Sequence, residues 1–223
     1  MTYQFDFADV LRYSSVLAKG AGLTVTLIAA GGTLGVAVGI FGAWARGFSR
    51  VRWLSAMVGA YVELIRNTPF LVQLFFVFFG LPSLGVKLTE LEAAILAMVL
   101  NLGAYSTEII RAGIEAVSRG QVEAGASLAM TRLQVFRHVV LRPALQKIWP
   151  ALTSQLVIVM FGSAVCSQIA VEELTFAANF IQSRNFRAFE AYFVATGIYL
   201  VLAVLLRQAM RGLGAWLVFG RRP

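Results

Sequence analysis

The heptapeptide Glu63-Leu64-Ile65-Arg66-Asn67-Thr68-Pro69 puts the first groups able to do chemistry inside an otherwise apolar stretch. Glu63 and Arg66 are three positions apart, so on a helix they share a face and can neutralise each other. Ionisable groups at membrane depth otherwise face a cavity or a partner, because burying them in lipid is costly. Pro69 has no N–H to donate and crowds the turn before it, so the helix is expected to break or kink there. If a new half-helix starts at Pro69 with Thr68 as its cap, the free N–H groups of Phe70 and Leu71 form a carboxylate site. A kink that only packs is the plainer reading of the same proline.

A second concentration runs from Gln121 through Val122, Glu123, Ala124, Gly125, Ala126, Ser127, Leu128 and Ala129 to Met130. Small residues crowd it, and Leu133, Phe136 and Val140 follow at spacings of three and four, a pattern of two short helices with the later one amphipathic. Such a helix can dock into a groove on another protein or lie on anionic headgroups; the residues alone favour neither.

Other chemistries lack their residues. One cysteine, Cys166, and one histidine, His138, cannot build a disulfide framework or a structural zinc site. A Ser-His-Asp arrangement would depend on His138, and Gly125-Ala126-Ser127-Leu128-Ala129 lacks the second glycine of a nucleophile elbow. No GxxxxGK[ST] occurs, so nucleotide chemistry must belong to a partner.

The elements that must position these groups follow from composition. Of 223 residues, 59% are hydrophobic and only 13% charged, against roughly 25% in a soluble domain, so most of the chain must meet lipid. The net charge of +8 would raise nucleic-acid binding in a soluble protein, but here the placement of the charges matters more than their sum. Met1 to Lys19 lacks a charged n-region leading into a short apolar core and does not read as a cleavable signal. Apolar runs at Leu23–Ala45, Trp53–Phe79, Leu91–Ile110, about Trp149–Val171 and about Ala188–Leu206 predict five spans. Residues 112–147 are too polar to cross. Gly31, Gly35 and Gly39 share one face of the first run, which suits close helix packing.

Placing Arg46, Arg50, Arg52, Arg111, Arg119, Arg132, Arg137, Arg142, Lys147, Arg207, Arg211, Arg221 and Arg222 on one side leaves Arg12, Lys19, Lys87, Arg184 and Arg187 on the other, with Arg66 inside a span. The positive-inside rule makes the first group cytoplasmic, with the N-terminus outside, the C-terminus inside and 112–147 a cytoplasmic loop.

Tyr61-Val62-Glu63-Leu64-Ile65-Arg66-Asn67-Thr68-Pro69-Phe70-Leu71-Val72-Gln73-Leu74 resembles the signature of ABC importer permeases for polar amino acids, the histidine/glutamine/arginine group. Gly103-Ala104-Tyr105 with Glu108, Arg111, Gly113 and Ile114 matches that group's third span, and Gly120-Gln121-Val122-Glu123-Ala124 is similar to the opening of its EAA loop. The match covers about residues 20 to 205.

The resemblance implies an all-α membrane protein with five transmembrane helices in the MetI-like permease architecture, forming one transmembrane permease domain over 1–223 in a bacterial cytoplasmic (inner) membrane. It further implies a second, homologous permease half, two ATPase subunits that hold ATP and magnesium, and an extracytoplasmic solute-binding protein that delivers the amino acid. No cofactor is then bound by the chain itself, no nucleic acid is involved, and the chain is not an enzyme. Gln121, Glu123, Ala124, Gly125, Ser127, Leu128, Ala129 and Met130, with Phe136 in support, would couple to the ATPase. Glu63, Arg66, Thr68, Pro69, Phe70, Leu71, Gln155, Phe161, Gly162 and Ser163 would line the substrate path.

Departures from the family pattern sharpen these expectations. Ala129 stands where the EAA loop usually has glycine, disfavoured by roughly 1 kcal/mol if the turn needs a positive φ. The family's I-x-L-P becomes Val139-Val140-Leu141-Arg142-Pro143, one place late. The family's K-D-[ST]-S-L falls on Phe161-Gly162-Ser163-Ala164-Val165, so the Lys-Asp pair is gone. A buried carboxylate is a natural partner for a substrate ammonium, and its loss points to a non-identical second half with the fuller pocket. Gln155 and Gly162, seven apart on one face, and Ser163 beside them are neutral and favour a neutral or polar amino acid, or line a helix interface. The competing class is a self-contained secondary carrier or channel using Glu63, Arg66 and Glu108, although no internal repeat supports it.

Overall fold

The computed structural model describes residues 5–47 and 51–219. Arg50, Arg221 and Arg222, which enter the charge count, lie outside the described residues. Among the described residues the fold is helical throughout, without strands.

A short helix α1 (Phe7–Leu11) is capped by Asp6, whose carboxylate accepts from the Ala8 and Asp9 N–H groups. Helix α2 (Ser14–Gly47) begins well before the expected run at Leu23. Its 34 residues span about 51 Å at 1.5 Å per residue, more than a bilayer's hydrocarbon core. The expected second span is two arms, α3 (Arg52–Arg66) and α4 (Phe70–Phe75), the latter continuing through a π-turn, Phe76–Gly80, into α5 (Leu81–Ser83). Between the two arms the chain bends by 114°.

Helix α6 (Glu90–Glu115) starts at a capping box in which Thr89 and Glu92 satisfy each other's N–H groups. The glycine face of α2 lies on it: a Cβ on Gly35 would fall 2.8 Å from the Leu102 Cβ, and one on Gly31 3.1 Å from the Met98 Cβ. The expected role of that stripe is thus met, with α6 as the partner.

The 112–147 stretch departs from expectation. Helix α7 (Arg119–Ser127) is a separate short helix, but the second does not end. Helix α8 (Arg132–Val135) passes through a π-turn, Phe136–Val140, into α9 (Leu141–Gly162) and a 3₁₀ turn, Ser163–Ile169, so one continuous helix of 38 residues joins the loop to the fourth span. Polarity alone hid this, because the same helix is polar over its first turns and apolar beyond them. Helix α10 (Leu174–Asn185), between the fourth and fifth spans, carries no strong sequence periodicity and was not expected. Helix α11 (Ala188–Gly214), extended by a π-turn Ala215–Phe219, is the fifth span.

Four of these helices are long and apolar enough to cross a membrane, and the bent pair makes five if its arms are one broken span. The main core joins Leu27, Leu74, Met98, Leu102, Leu156 and Met160. A second core at the α1–α10 end joins Val10, Leu17, Leu174 and Ile181. A third, of Val117, Val135, Val140 and Ala144, sits beneath α7.

Candidate functional site

The helix breaks where the proline required it to. Helix α3 ends at Arg66 with Asn67 as its cap, and Pro69, at φ −64° and ψ 141°, is the residue before α4 rather than its first helical residue. Thr68 does not cap the new helix; its Oγ1 turns back to donate to the Leu64 carbonyl at 2.9 Å. The hydroxyl of a threonine at a helix end finds the i−4 carbonyl more readily than an N–H beyond a proline. The Phe70 and Leu71 N–H groups, as first-turn donors, remain without a hydrogen bond.

The expected Glu63–Arg66 pair does not form. Glu63 Oε2 accepts from Asn67 Nδ2 at 2.8 Å. Arg66 instead reaches across to α6, with its Nη1 3.9 Å from Glu108 Oε2 and its guanidinium 5.6 Å above the Tyr105 ring. A partner on another helix wins because it faces α3, whereas Glu63 is turned to an open groove with Arg46, Arg52 and Ser55.

Glu108 is the centre of this cluster. Arg46 pairs with its Oε1, Arg111 Nη2 lies 2.8 Å from its Oε2, and Arg111 Nη1 reaches Glu115 at 2.6 Å. One carboxylate therefore ties α2, α3 and α6 together. Three guanidiniums engage Glu108, so its carboxylate is paired within the helix bundle.

The other half of the expected path lies at the end of α9. A Cβ on Gly162 would lie 3.9 Å from Phe70 Cδ1, so the break and the α9 terminus meet across Phe70 and Gly162. Ser163 is fully buried and donates to the Met160 carbonyl at 2.6 Å, which commits its hydroxyl to the backbone. Phe161 is exposed and its ring centroid lies 6.3 Å from that of Tyr199. Gln155 is half-buried and makes no hydrogen bond with the residues at the break.

Sequence reasoning missed Glu173. It is fully buried and caps α10: Oε1 accepts from the Phe176 N–H at 2.9 Å and Oε2 from the Tyr199 hydroxyl at 2.5 Å. Thr175 Oγ1 lies 3.0 Å from the same hydroxyl. Burial pushes the Glu173 carboxyl above the usual carboxylate range, while its hydrogen bonds from Tyr199 and the α10 backbone pull the other way. The available signal was its place three residues before Phe176 at the head of an apolar segment, but glutamate is not a favoured cap.

The second concentration folds into a helix–turn–helix. The Met130 N–H bonds the Gly125 carbonyl at 3.3 Å and the Ala129 N–H bonds that of Ala126 at 3.0 Å, the two bonds of a Schellman motif. Ala129 sits at φ 57°, the left-handed position glycine prefers. Thr131 and Gln134 then form a capping box that starts α8. Gly125 is buried because a Cβ there would lie 3.2 Å from Val135 Cγ2. Gln121, Glu123, Ala124, Ser127 and Leu128 are exposed. Of the apolar stripe, Val140 turns into the local core with Phe136 beside it, leaving Leu133 exposed. An apolar groove of about 860 Å³, lined by Trp44, Ile114, Val122, Met130, Leu133 and Phe136, runs alongside. No group of histidine, cysteine and acidic side chains able to hold a metal is found among the described residues.

Comparison with known proteins agrees along most of the chain. Residues 35–217 match the sequence family described as "Binding-protein-dependent transport system inner membrane component". The chain is 31% identical to a glutamine transport system permease protein of Escherichia coli K12 over 213 residues, which is 94% of this chain and 96% of that protein. It is 36% identical to an L-cystine transport system permease protein of Bacillus subtilis 168 over 192 residues, 86% of this chain and 82% of the relative. A solved amino acid ABC transporter crystallised with histidines superposes with a TM-score of 0.87 at 34% identity, covering 94% of this chain and 97% of that one. A methionine ABC transporter in an inward-facing conformation shares the fold, with a TM-score of 0.69 at 20% identity over 89% of this chain and 94% of that one.

Proposed function

Because the chain belongs to the family of binding-protein-dependent transport system inner membrane components, we propose that it forms half of the membrane pathway of an ATP-driven amino-acid importer. Its N-terminus lies outside, its C-terminus inside, and the membrane is the bacterial cytoplasmic one. Two ATPase subunits on the cytoplasmic face hold ATP and magnesium, a solute-binding protein delivers substrate from outside, and a second, non-identical permease half completes the cavity.

One observation carries the reading. The Phe70 side chain, on the residue that opens the second arm of the break, lies against Gly162 on the same helix, Arg132–Ile169, that starts at the exposed α7–α8 turn. A first-turn N–H pair beside a positive half-helix end suits the carboxylate of an amino acid. The neutral groups at Gly162 and Gln155 suit an uncharged side chain. A tilt imposed on α8 by an ATPase is passed along about 57 Å of helix to the 3₁₀ turn beside Phe70. Gln121, Glu123, Ala124, Ser127 and Leu128 present the docking surface, and Phe136 anchors it from below.

Reconstitution tests this. Purified with its companion half and ATPase, the chain should take up amino acid in proteoliposomes only when nucleotide is hydrolysed. Solute flux from this chain with no nucleotide consumed by any companion would end the proposal. Full-rate transport by this chain as a homodimer with the ATPase would overturn the non-identical second half.

A further inference from the structure

We propose that Gln73 and Asn101 are positioning residues whose side-chain amides set the angle of the helix break and so keep the Phe70 and Leu71 N–H groups open; this rests on reading the break as part of the substrate path. In an unbroken helix the N–H of residue 69 would bond the Ile65 carbonyl and that of Val72 the Thr68 carbonyl. Pro69 has no N–H, and the Val72 N–H turns to the Pro69 carbonyl at 3.0 Å. The break therefore strips the Ile65 and Thr68 carbonyls of their usual helical donors, leaving Ile65 only long contacts from the Thr68 N–H at 3.5 Å and Thr68 Oγ1 at 3.4 Å.

Gln73 supplies both. Its Nε2 donates to the Ile65 carbonyl at 2.7 Å and to the Thr68 carbonyl at 2.9 Å, with Thr68 Oγ1 3.0 Å away. The side chain starts on the second arm and bonds the end of the first, so it spans the angle like a brace. Asn101 on α6 fixes which way round the amide sits, because its Nδ2 donates to Gln73 Oε1 at 2.9 Å. A flipped amide would point an oxygen at two carbonyls and lose all of these bonds. Gln73 is buried with both ends of its amide engaged inside the chain, so it acts through the break and not on substrate.

The same face of α6 pins the first arm. Asn101, Tyr105 and Glu108 recur at the four- and three-residue helical spacing, Arg66 lies over Tyr105 and near Glu108, and the Tyr61 hydroxyl donates to the Leu100 carbonyl at 2.5 Å. Helix α6 is thus the template against which both arms are set.

The test uses the complete transporter in proteoliposomes, with spin labels on Met57→Cys and Phe79→Cys, exposed sites on the two arms; Cys166 is buried and does not label. Gln73→Leu and Gln73→Glu, the latter keeping shape but losing the donors, should broaden and shift the inter-arm distance. They should also lower uptake per nucleotide hydrolysed by about fivefold or more, with basal hydrolysis unchanged. Asn101→Leu should act in the same sense, and adding it to Gln73→Leu should cost no more, since the two form one unit. An unmoved inter-arm distance in Gln73→Leu overturns the proposal whatever the uptake. A moved distance with full uptake instead overturns the assignment of the break to the substrate path. Should Gln73→Leu fail to assemble, the same distance in Asn101→Leu decides.

Discussion

At Ala129 an L-residue holds φ 57° so that the α7 helix can end in a Schellman turn. Glycine adopts that conformation without the Cβ clash, so Ala129→Gly should stabilise the chain by about 1 kcal/mol, read as a raised unfolding temperature in detergent. No gain would mean the exposed turn relaxes the strain. Glu173 gives a pH dependence of definite sign. Its carboxyl is raised in the fold, so it contributes most below the ordinary glutamate pKa near 4.3; that stability is lost as pH rises through the folded value, because the unfolded chain ionises first. From acid to neutral pH the unfolding midpoint of the native chain should fall relative to that of Glu173→Gln, so that the two differ in slope. An unchanged slope would remove Glu173 as its source.

Helix pairing is decided by what α2 lacks. Gly35 lets the α2 and α6 backbones approach until a Cβ would sit 2.8 Å from Leu102 Cβ, whereas Gly22 faces nothing within 4 Å. Gly35→Leu should therefore destabilise by about 1–3 kcal/mol or more through overpacking, and Gly22→Ala should be neutral or stabilising by about 0.5–1 kcal/mol through helix propensity. Equal effects at the two sites, read by thermal unfolding, would count against the close α2–α6 contact. The broken pair α3–α4 shows the converse case, where a backbone donor is missing and the Gln73 side chain on the second arm, held by Asn101 of α6, replaces it.

Across the whole molecule the question is how an event at the α7–α8 turn reaches the break. If Arg132–Ile169 is the transmitting rod, Glu123→Lys should leave assembly intact and nucleotide hydrolysis running while uptake falls; coupled uptake at the native rate would remove the turn from the transmission path. The sequence by itself determined what backbone chemistry and solvent dictate: contiguous apolar runs become spans, Pro69 ends a helix because it has no N–H, and Gly31, Gly35 and Gly39 mark a contact face. The tertiary structure alone decided which partners meet. Arg66 takes Glu108 from a distant helix over Glu63 on its own, Gln73 braces the break, Glu173 is buried under Tyr199, and the polar 132–140 segment runs on into the fourth span. The reason is that capping and breaking act between residues a few positions apart, whereas these pairings are set by the directions in which separately formed helices face one another.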